Sequence, residues 1–112
     1  MDCLFCKIAA GQIPARILYE DDKVVAFHDI DPQAPVHFLL IPRQHISGPL
    51  ALDDSHQALA GHLLLSASRL AREHGCEEGF RLVMNCNELG GQTVHHLHLH
   101  VLGQRQLHWP PG

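Results

Sequence analysis

The chain has 112 residues and a net charge of −4 when its eleven histidines are neutral. That length supports one domain with one modest core, which often gains from pairing with a second copy. No lysine or arginine cluster could neutralise a run of phosphates, and no apolar run nears the ~18–20 residues that cross a bilayer, so neither nucleic acid nor a membrane is an expected partner.

The first residues, Met1-Asp2-Cys3-Leu4-Phe5-Cys6-Lys7, carry an early acid and no apolar stretch of signal-peptide length, which predicts a cytoplasmic protein with mostly reduced thiols. Of the four cysteines, Cys76 and Cys86 read as structural, whereas Cys3-x-x-Cys6 reads as half a metal site or as nothing. Residues 3–10 suit a short helix closed by Gly11, with Pro14 just beyond. The β-prone runs Arg16–Glu20 and Lys23–His28 flank Asp21-Asp22 and predict a hairpin. Asp31-Pro32-Gln33-Ala34-Pro35 is a loop, and Val36 to Ile41 a mostly apolar third strand stopped by Pro42. Asp53, Asp54 and Ser55 offer N-caps for one long helix. Its apolar face is Leu59, Leu63, Ala67, Leu70 and Ala71, and Gly75 stands just past its end. Phe80 to Cys86 reads as a fourth strand and 96–102 as a fifth. The tail ends in Trp109-Pro110-Pro111-Gly112, whose tryptophan is expected to dock. Five mainly antiparallel strands, one long helix and a short N-terminal helix make an α+β fold.

The fifth strand carries the chemistry. His96-Leu97-His98-Leu99-His100-Val101 alternates strictly, so period two puts three imidazoles on one face and three aliphatics on the other. The aliphatic face packs on a core; three crowded imidazoles have no packing reason to exist. A zinc site held by all three is awkward, because a rise of ~3.3 Å per residue separates His96 from His100 by about 13 Å. A two-histidine metal site completed from elsewhere stays open. Nucleophilic catalysis on phosphorus needs less: a neutral ring attacks without a base, and roughly three-quarters of an unperturbed histidine is neutral at pH 7. Its neighbours, ~7 Å away along the backbone, manage the charge. The Gly91-Gln92-Thr93 segment supplies hydroxyl and N–H donors.

His96-Leu-His98-Leu-His100-Val-Leu-Gly103 resembles the signature of the histidine triad (HIT) family of nucleotide hydrolases and transferases. The likeness runs on through Phe5-x-Lys7-Ile8, Ile13-Pro14-Ala15, Glu20-Asp21-Asp22, Ala26 to Ile30, Pro32 to Leu39 and Ile41-Pro42-x-x-His45-Ile46-Ser47. The closing His108-Trp109-Pro110-Pro111-Gly112 resembles the Hint branch, the histidine triad nucleotide-binding proteins.

The resemblance implies a purine nucleoside phosphoramidase, active also on aminoacyl adenylates, with one HIT domain over residues 1–112. His98 would attack the α-phosphorus, and water would cleave the nucleotidyl-histidine. The His96 carbonyl would orient His98, and His100 and His37 would complete the relay. Asn85, Gly91, Gln92, Thr93 and Val94 would hold phosphate, and Asp29 both ribose hydroxyls. Leu4, Phe5, Ile8, Phe27, His28, Ile30 and Leu39 would enclose the purine. It also implies a homodimer whose sheets join into one, with residues 104–112 carrying Trp109 to the partner's site. Catalysis would need no cofactor. A structural zinc on Cys3, Cys6, His45 and His96 is implied by HIT proteins that open with a similar C-x-x-C; the plain alternative leaves Cys3 exposed and Cys6 in the core. Thr93 departs from the usual serine, and His95 from an aromatic. The third triad residue is histidine, as in the hydrolases, and not the glutamine of the transferases. Rival functions are a zinc-dependent hydrolase using the same histidines and a nucleotide-binding regulatory module.

Overall fold

The computed structural model describes residues 3–112. Five strands form one antiparallel sheet: β1 (Ile17–Glu20), β2 (Val24–His28), β3 (Val36–Pro42), β4 (Phe80–Val83) and β5 (Leu99–Gly103), in the order β1-β2-β3-β5-β4. The α-helices are α1 (Leu4–Ala9), α2 (Gln57–Glu73) and a single turn, α3 (Asn87–Gly90). The expected α+β architecture is the observed one.

Both faces of the central strands are covered, so β2 and β3 read as near-continuous apolar runs. Val24, Ala26, Phe38, Leu40, Leu99 and Val101 point to one face and pack against Leu63, Ala67, Leu70 and Ala71 of α2. Val25, Phe27, Leu39 and Ile41 point to the other, under Cys3 and Phe5. Alternation therefore sends His37, His98 and His100 to the α1 side of the sheet.

Local chemistry sets the element ends. Asp53 accepts from the Ser55 N–H while His56 Nδ1 accepts from the Asp53 N–H, so the expected start of the long helix is a 3-10 turn, Asp54–His56, that runs into α2. Past α2, Gly75 adopts φ +81° and Cys76 N–H returns to the Ala71 carbonyl. Gly103 lies so close to Cys76 that a Cβ there would sit 2.5 Å from its Sγ, which only glycine permits.

Two strands are shorter than the sequence predicts. β5 begins at Leu99, not at 96: the register would next set Ile41 opposite His98 and Pro42 opposite Leu97, but the Pro42 carbonyl accepts from the His96 ring. Leu97 N–H turns to the Ile46 carbonyl. β4 consequently stops at Val83, opposite His100, and residues 84–86 leave the sheet. Trp109, expected to dock, is 82% exposed on the single chain.

Candidate active site

A cavity of about 390 Å3 opens between α1 and the sheet. Leu4, Phe5 and Ile8 of α1 form one wall, with Phe27 and Ile30 beside them and Leu39 below; Asp29 stands at the edge. Asn85, Gly91, Thr93 and Val94 close the opposite side, where Gly91 holds φ +88° at the end of α3. His98 and His100 complete the lining. Concavities of about 490 and 580 Å3 elsewhere are larger, but neither contains a triad histidine. Size is a weaker guide here than the convergence of titratable groups.

Five of the predicted catalytic and nucleotide-binding residues do not line this cavity. His37 and His96 stand behind His100 and His98. His28 needs correction as a purine contact: it follows Ala26 on the α2 face, where burial and then the charges of Arg16 and His74 lower its pKa. The Gln92 side chain needs correction as a phosphate ligand. It is buried, accepts from the Asn87 N–H and donates to the Ser47 and Val94 carbonyls, so it braces the loop and leaves Thr93 and Val94 to face the cavity. Trp109 lies on the exposed tail. His95, which departs from the usual aromatic, is exposed.

Hydrogen bonds to the main chain fix the ring protons, because a carbonyl only accepts and an amide N–H only donates. His98 Nδ1 lies 2.7 Å from the His96 carbonyl and must carry the proton. In the neutral ring Nε2 is therefore the bare lone pair. The Gln33 N–H donates to His37 Nδ1 at 3.0 Å, so the His37 proton sits on Nε2 and donates to His100 Nδ1 at 2.9 Å. That leaves the His100 proton on Nε2. Burial lowers the His37 pKa, with Asp29 and Asp31 opposing. Burial, then the neighbouring His98 and His37, push His100 down to about 4. Both rings are neutral at pH 7. The Phe5 ring stands edge-on to His98, centroids 5.1 Å apart, and steadies the lone-pair ring.

His96 is fully buried and plays a different part. Its Nε2–H donates to the Pro42 carbonyl at 2.8 Å, so Nδ1 is bare; it lies 3.3 Å from Cys3 Sγ and 3.5 Å from Cys6 Sγ. Cys6 Sγ is 3.3 Å from His45 Nδ1, and all four ligand atoms fall within 4.8 Å of one another. A tetrahedral zinc with bonds of ~2.3 Å to sulfur and ~2.05 Å to nitrogen sets S···N edges of about 3.5 Å, so the group fits the ion. The Pro42 carbonyl is the outer partner that aims a metal-binding imidazole. Burial, then the adjacent Cys3, raise the Cys6 thiol pKa, so paired thiolates stand here only beside a cation. Cys3 is buried, which corrects the plain alternative of an exposed Cys3.

Asp29, His37 and His100 also gather within 4.8 Å. They suit an ion poorly. The Gln33 N–H occupies His37 Nδ1, so an ion on Nε2 would require that ring to give up its last proton.

A HIT domain matches residues 10–107 of the chain. An uncharacterized HIT-like protein of Synechococcus elongatus is 54% identical over 99% of this chain and 97% of that protein. A 14 kDa zinc-binding protein of Brassica juncea is 47% identical over 99% of this chain and 100% of its own length. Among solved structures, a HIT family hydrolase from Legionella pneumophila superposes with a TM-score of 0.97 at 51% identity, covering 99% of this chain and 100% of that one. The signature read on His96, His98 and His100, the sheet order and these likenesses agree: the chain belongs to the HIT family.

Proposed function

We propose that the protein hydrolyses purine nucleoside 5′-phosphoramidates, and related aminoacyl adenylates, through a nucleotidyl-histidine. The observation that carries this reading is the bare Nε2 of His98 in a cavity with one apolar wall and one polar wall. A nucleotide has the matching halves: base against Leu4, Phe5, Ile8, Phe27, Ile30 and Leu39, ribose hydroxyls on Asp29, phosphate beside Asn85, Gly91, Thr93 and Val94. His98 Nε2 forms a bond to the α-phosphorus as the P–N bond to the amine breaks. The leaving nitrogen takes a proton from solvent while the His100 Nε2–H donates it a hydrogen bond, and the amine departs. Water then attacks phosphorus, loses a proton to solvent and frees His98 and the nucleoside monophosphate. Neutral His37 holds His100 in the donor tautomer throughout.

Zinc on Cys3, Cys6, His45 and His96 would tie α1 to the sheet. Four protein ligands leave no open position for water or substrate, which favours a structural ion over a zinc-dependent hydrolase. A homodimer with a joined sheet, its tails carrying Trp109 to the partner's cavity, would cover the exposed tryptophan and complete the cavity mouth.

Hydrolysis of adenosine 5′-phosphoramidate by wild type and His98→Ala tests the reading. Loss of the nucleophile is expected to lower kcat by about 10⁴-fold or more, by analogy with other covalent catalysts. A variant within tenfold of wild type would overturn the covalent mechanism. A wild type that binds AMP but does not cleave would favour the regulatory-module reading.

A further inference from the structure

The loop before β3 and the turn after β5 lie side by side, because Val36 pairs with Gly103. Gln104 takes φ +65° there, and its Nε2 donates to the His74 and Gly75 carbonyls at 3.3 Å each, which fastens the turn to the end of α2. The next residue, Arg105, donates through Nε to the Gln33 carbonyl at 2.8 Å and through Nη1 to the Gln106 carbonyl at 3.2 Å. On the other side of the Gln33 Cα, its N–H donates to His37 Nδ1 at 3.0 Å. Gln33 Nε2 also donates to the Asp31 carbonyl, and Asp31 N–H donates to Asp29 Oδ1.

We propose that Arg105 is a positioning residue for the triad, holding the Gln33 amide against His37 so that the His37 proton stays on Nε2 and the His100 Nε2–H stays free to donate a hydrogen bond to the leaving amine. The physical case is that a lone loop amide is a weak determinant of tautomer. The two neutral forms of imidazole differ little in energy, and the exposed 31–35 loop has few contacts to keep its N–H aimed. A guanidinium bound to the carbonyl of the same residue supplies the missing constraint, and a charge-assisted bond is stronger than a neutral one. Were the loop to swing away, His37 Nδ1 could take the proton. Its Nε2 would then be a lone pair facing the lone pair of His100 Nδ1, and His100 would turn or change tautomer. Arg105 touches neither His37 nor the cavity, so its effect reaches the reaction through proton placement.

The proposal rests on the phosphoramidate reading for its kinetic arm only; the tautomer arm stands apart from any activity. Full-length protein with ¹⁵N-labelled histidine is compared as wild type, Arg105→Ala, Arg105→Lys and Arg105→Gln, with two-bond ¹H–¹⁵N spectra reporting which ring nitrogen of His37 is protonated. Wild type is expected to show the Nε2–H form and Arg105→Ala a mixture. On adenosine 5′-phosphoramidate, Arg105→Ala should lose about tenfold in kcat, the rate equivalent of one charge-assisted hydrogen bond, with KM within twofold. Arg105→Lys, which keeps a charged donor, should recover most of that loss. An Nδ1–H form of His37 in wild type overturns the proposal, as does an Arg105→Ala variant with the wild-type pattern and kcat. Arg105→Gln guards against a merely structural effect. Loss of the Nε2–H pattern at an unchanged urea midpoint supports positioning, and a shifted midpoint with the pattern intact overturns it. Wild-type protein that fails to cleave the substrate defeats the proposed function, and the spectra alone then decide the role of Arg105.

Discussion

His96 and His100 end the same alternating run, yet they inhabit different chemistry. His96 has no exposed surface: its ring bridges the Pro42 carbonyl and two thiols, and only its backbone carbonyl reaches His98. His100 opens onto the cavity and is held by another ring, His37. The pattern that makes three histidines look equivalent in sequence conceals one buried anchor and two cavity rings, for which the proposed function has separate uses, nucleophile and hydrogen-bond donor. Environment, not residue type, assigns the parts.

Substitution at the two ends should separate those parts most sharply. His96→Ala is expected to lose about 3–5 kcal/mol of stability, because it opens a cavity and orphans the buried Pro42 carbonyl. His100→Ala should stay folded and lose about 10²–10⁴ in kcat, the usual worth of a positioned proton donor. Urea unfolding and phosphoramidate turnover measure the two. Equal stability loss at both positions would erase the distinction.

Metal removal sharpens the anchor end next. In zinc-loaded protein, chelation should lower stability by about 2.7 kcal/mol or more, the linkage value for an ion at a hundredfold its Kd. Phe5 lies between the two thiols in sequence, and its ring meets His96, His98 and Phe27. Weaker AMP binding should therefore accompany the loss, read by calorimetry with and without zinc. Unchanged AMP affinity would show that α1 holds the cavity wall without the ion.

How much of this was legible in the sequence differs between the two ends. The period-two pattern placed His98 and His100 on one face, and the resemblance put Asp29, Asn85 and Thr93 beside them. The structure gathers all five around one cavity. What a linear pattern does not carry is which backbone group each ring meets. The early end of β5 accompanies two distant pairings, Leu97 N–H with the Ile46 carbonyl and the His96 ring with the Pro42 carbonyl. The resemblance put Gln92 on the phosphate, but Ser47 and Val94 claim its amide through contacts that no spacing announces. His28 was misplaced by one step of alternation. Arg105 gave no signal, since an arginine in a polar tail is ordinary until the loop beside it is known.

Acid should act on the His100 end through a smaller effect. His37 and His100 have pKa values below the ~6.5 of the unfolded chain. The unfolded state therefore binds more protons between about pH 6.5 and 4, and stability falls as pH falls through that window. The urea midpoint should be lower at pH 5 than at pH 7, and His100→Gln should flatten the slope. A wild-type midpoint unmoved between those pH values would mean that burial does not hold these rings neutral.

The smallest expected effect comes from a second histidine–carboxylate pair that looks like the one at the site. His62 Nε2 lies 2.7 Å from Asp21 Oδ2, and His37 Nε2 lies 3.4 Å from Asp29 Oδ2. Asp21 is saturated: it also accepts from Tyr19 Oη and from the Lys23 and Val24 N–H groups, closing the β1–β2 turn against α2. Burial alone would raise its pKa, but the bonds from Tyr19, the two amides and His62 outweigh burial and hold it well below the ordinary carboxylate range. Asp29 turns Oδ2 toward the His37 and His100 rings, at 3.4 and 4.0 Å, and accepts the Asp31 N–H on Oδ1. Asp21→Asn should therefore cost about 1–2 kcal/mol of stability and leave kcat alone, whereas Asp29→Asn should raise KM for the nucleotide and leave stability nearly unchanged. Because the folded Asp21 pKa lies below the unfolded value of ~3.9, its contribution is complete above that value and fades as pH falls below it. The gap between wild type and Asp21→Asn should thus be larger at pH 7 than at pH 3, read from urea unfolding at each. A gap that is the same at both would show that the lost packing, and not the charge, accounts for it.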